Sequence, residues 1–272
     1  MTQEMISRRS LMGAALVLTA LPKRAASAAD GDALFAELLR KYVANGRDGI
    51  NRVDYRRWHA DAQDRMALGA YIAMLARARP SQMARPQALV FWANLYNALT
   101  LKVILDHYPV KSIRDIRSQS SLLDLKALIG PWRTQLVSIE GKSLSLDDIE
   151  HGIMRPTFAD PRVHYAVNCA SIGCPNLQPA PWRAASLDGD LDAAARAYVN
   201  HPRAVTVKAD GSLKISSIYR WFIEDFGGND AGILRHLRQF ANADLAERLA
   251  GTPRISEDGY DWTLNAPGTG AG

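Results

Sequence analysis

Leu89-Val-Phe-Trp-Ala-Asn94-Leu-Tyr-Asn97-Ala-Leu-Thr-Leu-Lys-Val-Ile-Leu-Asp-His107 is apolar over much of its circumference, with Pro86 shortly ahead of it and Tyr108-Pro109 behind it. A segment of this kind between prolines reads as a helix, and a helix apolar on most sides belongs at the centre of a core. Asn94 and Asn97 are three residues apart and share a face, bordered by Trp92 and Tyr96. Amides in so apolar a helix must find hydrogen-bond partners. Two uses stand open for them: shaping a binding pocket, or bracing a neighbouring loop.

Outward from this helix the pattern is mixed. On the N-terminal side, Leu34, Phe35, Leu38, Leu39, Tyr42 and Val43 recur at helical spacing within Asp32 to His59, and Leu68, Tyr71, Ile72 and Leu75 repeat it between Met66 and Arg79. On the C-terminal side, Ser145 with Asp148 three residues on is a capping-box variant and predicts a short helix over Ser143 to Met154, ending before Pro156. Val163-His-Tyr-Ala-Val-Asn-Cys169 alternates as a strand does and is the best strand of the chain. Gly173, Pro175, Pro179 and Pro181 make 170–181 an irregular loop. Leu187 to Tyr198 predicts a helix, and 204–208 with 213–215 a hairpin around Ala209-Asp210-Gly211. A short helix through Trp221 and Phe222 and another from Ala231 to Leu249 complete an α+β pattern without internal repeats. One domain is expected over residues 29–265, with a flexible tail at 266–272.

The chain has 272 residues, 47% of them hydrophobic, enough to bury a substantial core. Its net charge of +5 is concentrated at the N-terminus. Arg8, Arg9, Lys23 and Arg24 against Glu4 leave +2 for the remainder, which is no basis for a nucleic-acid binder. Ser7-Arg8-Arg9-Ser10-Leu11-Met12, an apolar run to Leu21 and Ala26-Ser27-Ala28 together read as a twin-arginine signal peptide over residues 1–28. A periplasmic or otherwise exported protein is expected, with no membrane span after removal of the signal. Two cysteines exclude a cluster held by four thiolates, and no haem or flavin motif is visible, so no cofactor is expected.

Both cysteines lie in His164-Tyr-Ala-Val-Asn168-Cys169-Ala-Ser-Ile-Gly-Cys174-Pro175, with Asp148-Ile-Glu150-His151 upstream. A thiol nucleophile needs a base and a group to orient that base, and Cys169, His164 and Glu150 or Asn168 are the residue types for it. On a regular strand His164 and Cys169 face opposite ways, so this reading requires the strand to end or twist near Asn168. Three other readings stay open: a Cys169–Cys174 disulfide, a zinc site from His151, His164, Cys169 and Cys174, and a buried Cys169 beside a core histidine. Cys174 is the weaker nucleophile candidate, because Pro175 supplies no N–H. His59, His107, His201 and His236 have no motif around them.

Five ordered blocks carry a family resemblance: Phe91 to Thr100, Leu146 to Arg155, Asp160 to Pro175, Trp221-Phe-Ile-Glu-Asp225-Phe-Gly, and Tyr260-Asp-Trp-Thr-Leu-Asn265. Together they resemble the domain of unknown function 547 family. In outline that family is similar to papain-like and transglutaminase-like thiol enzymes, in which a central helix packs on a small antiparallel sheet bearing a histidine. The resemblance implies Cys169 as nucleophile, His164 as base and Glu150 as its orienting acid, with Asn94, Asn97 and Asn168 at the substrate and backbone N–H groups near Ala170 and Ser171 for an oxyanion. The central helix departs from the transglutaminase pattern by offering Asn94 where that pattern has its cysteine. The implied function is a cysteine-dependent hydrolase or acyl transferase acting on an amide or related acyl group of a small molecule, peptide or protein. The alternative is a binding or scaffold domain stapled by a Cys169–Cys174 disulfide.

Overall fold

The computed structural model describes residues 28–116, 130–251 and 253–269. The expected signal peptide lies outside them, apart from its last residue, and so do residues 270–272 of the expected tail. In chain order, α1 (Ala28–Tyr42) leads into a hairpin of β1 (Val43–Asn45) and β2 (Asn51–Val53), then α2 (Tyr55–Ala60) and α3 (Ala62–Leu75). The central helix is α4 (Arg85–His107). A second hairpin, β3 (Val137–Ile139) with β4 (Lys142–Leu144), precedes a π-helical segment, Asp148–Met154, that runs on into α5 (Arg155–Phe158). After α6 (Val163–Ala166) and α7 (Leu187–Val199) comes β5 (Val205–Val207), antiparallel to β6 (Leu213–Ser216). α8 (Ile218–Trp221), α9 (Asp230–Phe240) and α10 (Ala243–Ala250) follow, and β7 (Ile255–Gly259) pairs parallel with β6. The fold is α+β, helix-rich, with small separate sheets.

α4 is the hub, as its composition requires. From Phe91 to Leu101 every residue is buried, and α2, α3 and the π-helical segment pack against it. By length and composition α4 could cross a membrane, but 83% of its apolar window is buried inside the protein. It is a core helix.

The segment that reads most like a strand is a helical turn. Val163, His164 and Tyr165 donate their N–H groups to the carbonyls of Asp160, Pro161 and Arg162, and Asp160 Oδ1 accepts the Arg162 N–H at 2.9 Å. All four residues of α6 are buried, so the apparent alternation has no wet face behind it. An apolar run of this length cannot separate a period of 2 from one of 3.6. Val167, which ends α6, is the first extended residue. His164 therefore stands on a turn of helix and not on a sheet.

Three other boundaries move for local reasons. The Ser145–Asp148 box forms, with Ser145 N–H and Oγ–H donating to Asp148 Oδ2 and Asp148 N–H donating to Ser145 Oγ. The helix it starts does not end before Pro156, because a proline in the first turn of α5 removes an N–H of no use to that turn. The β3–β4 hairpin takes up Ser143, with Glu140 and Gly141 both at positive φ, as a two-residue hairpin turn demands. The expected helix over Ala231 to Leu249 is two helices, broken where Asn242 accepts the Leu245 N–H to cap α10.

Candidate functional site

The sulfur-bearing loop is built by asparagines. Asn168 Nδ2 donates to the Pro175 carbonyl and Asn168 Oδ1 accepts the Ala170 N–H, each at 2.8 Å, which closes Asn168 to Pro175 on itself. From α4, Asn97 accepts the Asn168 N–H at 2.9 Å and donates to the Ala166 carbonyl. The C-terminal segment clamps the other side: Ile172 and Gly173 donate to the carbonyls of Thr263 and Asp261, and Asn265 N–H to that of Ala170. A Cβ on Gly173 would lie 2.9 Å from the Asp261 backbone, so this approach needs glycine. Ala170 is held at φ +61°, a costly conformation for a residue with a Cβ and one that persists only where its surroundings impose it.

This frame sets two free thiols against each other. Cys169 Sγ and Cys174 Sγ are 2.8 Å apart and are not bonded. Cys174 Sγ accepts the Cys169 N–H and the Tyr260 hydroxyl, each at 3.0 Å. Tyr260 Oη lies 3.1 Å from Cys169 Sγ and 2.9 Å from Ser171 Oγ. Burial raises the proton affinity of Cys174, but the Cys169 thiol, the Tyr260 hydroxyl and the Cys169 N–H outweigh it and bring the pKa to about 7. Cys169, donating toward Cys174 and itself buried, is pushed up. The backbone N–H breaks the symmetry, since it can only donate. The Cys169 N–H thus favours the thiolate on Cys174, the weaker nucleophile candidate of the sequence reading.

Glu150 and His164, which share a cavity with the sulfurs, begin a row of acidic and basic side chains. His164 Nε2 donates to Asp225 Oδ2 at 2.7 Å, and His164 Nδ1 faces Glu150 Oε1 at 3.7 Å. Arg155 grips the same Asp225 through Nε at 2.5 Å and Nη2 at 3.2 Å. The Phe222 ring lies between the cations, stacked on His164 at 4.4 Å and 4.8 Å from the Arg155 guanidinium. Burial works against a charged imidazole, but the Asp225 and Glu150 contacts win and raise the His164 pKa. Burial likewise raises Asp225, yet His164 and Arg155 hold it well below the usual carboxylate range. Glu150 is lowered too, its burial being outweighed by His164, His151 and Tyr96. Along the row the carboxylates of Glu150 and Asp225 alternate with His164 and Arg155.

Both cysteines, with Glu150 and His164 of the row, line one cavity of about 380 Å³, whose lining also includes Tyr96, Trp132, Trp221, Phe222 and Trp262; Asp225, which holds His164, and Arg155, which holds Asp225, do not line it. Glu150, His164 and Cys169, expected together, do line it together. His164 directs its nitrogens at carboxylates, and the partners of Cys169 Sγ are Cys174, Ser171 and Tyr260. No Cys169–His164 hydrogen bond is among them. Asn94, Asn97 and Asn168 do not line the cavity. Asn94 exchanges two hydrogen bonds with the Trp182 backbone, so all three spend their amides on main chain and brace loops. The Ala170 N–H, expected at an oxyanion, is taken by Asn168. Among the described residues no three of His, Cys, Asp and Glu gather as metal ligands, so the zinc reading has no donor set.

Asp225 and Tyr260 complete the site, and residue-by-residue reading missed their roles. The signal was present, since each belongs to one of the five blocks that carry the family resemblance. No curated protein and no solved structure matches the chain. Residues 80–199 match the sequence profile described as "Protein of unknown function, DUF547". That stretch holds α4, Glu150, His164 and both cysteines, whereas Asp225 and Tyr260 lie beyond it. By this match residues 80–199 are similar to the DUF547 domain, a domain of unknown function.

Proposed function

We propose that the cavity is the active site of an exported, cysteine-dependent hydrolase or acyl transferase acting on an amide or related acyl group. One observation carries the reading: a thiol in a cavity wall, Cys174, receives two hydrogen bonds that stabilise its thiolate near neutral pH. That sulfur attacks the carbonyl carbon, and the Tyr260 hydroxyl is placed to donate a proton to the departing group. A thioester on Cys174 results, and water or an acceptor then cleaves it. His164 supports the site as a fixed cation and not as the base of Cys169, because carboxylates face both its nitrogens. The distant likeness to papain-like and transglutaminase-like enzymes belongs to this proposal, supported by the central helix behind a Cys- and His-lined pocket.

The experiment is acyl trapping with p-nitrophenyl acetate, read by mass spectrometry of the intact chain. An acetyl adduct on Cys174, absent from Cys174→Ser, is expected. The absence of any adduct on either cysteine overturns the reading. Export rests on Arg8 and Arg9, and replacing both with Lys is expected to leave unprocessed precursor in the cytoplasm.

A further inference from the structure

The close approach of two sulfurs is more than a single nucleophile needs. We propose that Cys169 and Cys174 form a reversible dithiol–disulfide couple that reduces low-molecular-weight disulfides with apolar or aromatic arms. This rests on the sulfur pair and its cavity, and stands whether or not the site also transfers acyl groups.

Three observations carry it. First, the sulfurs are 2.8 Å apart, less than one ångström beyond a disulfide length of about 2.05 Å. Asn97, Asn168, Tyr198 and the strand-like contacts to Thr263 and Asp261 fix the loop that holds them there. Ring closure therefore needs side-chain rotation and no refolding. Second, both sulfurs line a cavity of about 380 Å³, a size for a small molecule and too confined for the face of a folded protein. Trp132, Trp221, Phe222 and Trp262 line that cavity with aromatic surface, so the arms of the substrate are apolar or aromatic. Third, the Tyr260 hydroxyl is within 3.1 Å of both sulfurs and of Ser171 Oγ, which gives the proton of Cys169 a route away. Independently of geometry, an attacking thiol reacts best when its pKa is near ambient pH, as that of Cys174 is.

The chemistry balances without another reactant. Cys174 thiolate attacks one sulfur of R–S–S–R; the substrate S–S bond breaks, the first RS⁻ leaves, and a mixed disulfide stands on Cys174. Cys169 then loses its proton through Tyr260 and attacks Cys174 Sγ. A Cys169–Cys174 bond forms, and the second RS⁻ leaves. The two protons needed by the thiolates come from the two protein thiols or their exchange with water. The protein loses two electrons and the substrate gains them.

The test uses the reduced full chain and 4,4′-dithiodipyridine, following thiopyridone release and intact mass. Wild type is expected to release two equivalents and end as an internal disulfide with no adduct. Cys169→Ser is expected to release one equivalent, lose the second, and retain a thiopyridyl group on Cys174, because the thiol that resolves the mixed disulfide is gone. Dithiothreitol must then restore both thiols in the folded protein. A wild-type chain that keeps a pyridyl group on each cysteine overturns the proposal, as does a disulfide that dithiothreitol reduces only after unfolding, the mark of a structural staple. Circular dichroism of Cys169→Ser checks that the variant is folded. If it is not, alkylating one thiol of wild type and locating the trapped pyridyl adduct gives the same decision. Loss of acetyl trapping with intact exchange, or the reverse, separates this couple from the acyl reading.

Discussion

The two walls of the cavity are held in opposite ways. The sulfur wall is made by one short piece of chain, Asn168 to Pro175, whose shape comes from uncharged hydrogen bonds to backbone and from the C-terminal clamp. The ionic wall takes Glu150 and Arg155 from the π-helical segment and its continuation, His164 from α6, and Asp225 from the turn after α8. A wall of alternating charges loses its balance when one member goes, because the neighbours left behind stay desolvated. A wall built on main-chain hydrogen bonds is insensitive to charge and sensitive to steric fit.

Breaking the ionic wall has the largest expected effect. Asp225→Ala leaves His164 and Arg155 without their shared acceptor and is expected to cost about 2–4 kcal/mol, read by urea unfolding at constant m, the half-exposed carboxylate keeping it below the full buried-pair penalty. The alkylation rate of Cys174 at neutral pH should hardly change, since its donors lie on the other wall. A large change there means that the walls are coupled.

Next is Gly173→Ala, which pushes a methyl group into the Asp261 backbone and is expected to cost about 1–3 kcal/mol. Unlike the first variant, it should slow internal disulfide closure, because it displaces the frame of the sulfurs. A fully stable variant with unchanged closure would show that the clamp gives way without consequence. Tyr260→Phe removes one hydroxyl donor and is expected to raise the Cys174 pKa by about one unit, or about 1.4 kcal/mol. Iodoacetamide alkylation should fall about fivefold at neutral pH and recover in alkali. An unshifted profile removes Tyr260 from thiolate stabilisation.

The smallest effect sharpens the contrast through pH. His164 has a raised pKa in the folded protein, so its contribution is full below its ordinary value of 6.5 and fades as pH rises through the raised one. Glu150 and Asp225 are lowered, so theirs is full above their ordinary 4.5 and 3.8 and fades as pH falls through the lowered values. The ionic wall is therefore most stabilising between about pH 4.5 and 6.5. Compared with His164→Gln, wild type should lose part of its advantage as pH rises from about 6 to mildly alkaline values. Parallel curves for the two proteins would show that His164 stays neutral on folding.

What could be read in the sequence follows the same division. Cys169, His164 and Glu150 were recognisable because reactive residue types stand close together in the chain, and they do share a cavity. Their arrangement was not recognisable, because it depends on Asp225 and Tyr260 arriving from distant segments. Asn97 shows the limit of composition most clearly. A buried amide must be hydrogen-bonded, and that much the apolar helix dictates, but whether the partner is a substrate or the backbone at Ala166 and Asn168 is decided by tertiary packing. α4 was legible from its apolar length between prolines, and α7 from its helical spacing. The one-turn α6 was not, since four buried residues carry no distinguishing period.

The π-helical segment gives the ionic wall an unusual point of failure. The Arg155 N–H reaches back to the Glu150 carbonyl, five residues away, so this stretch carries more chain per turn than an α-helix does. Winding the same residues as an ordinary α-helix would rotate Glu150 against Arg155 by roughly 100°. Two members of the charge row would then no longer face the same way, although neither had been mutated. The extra residue of this turn is thus itself a component of the site, and deleting one residue there, such as Gly152, would leave Glu150 and Arg155 four apart and on one face of an α-helix.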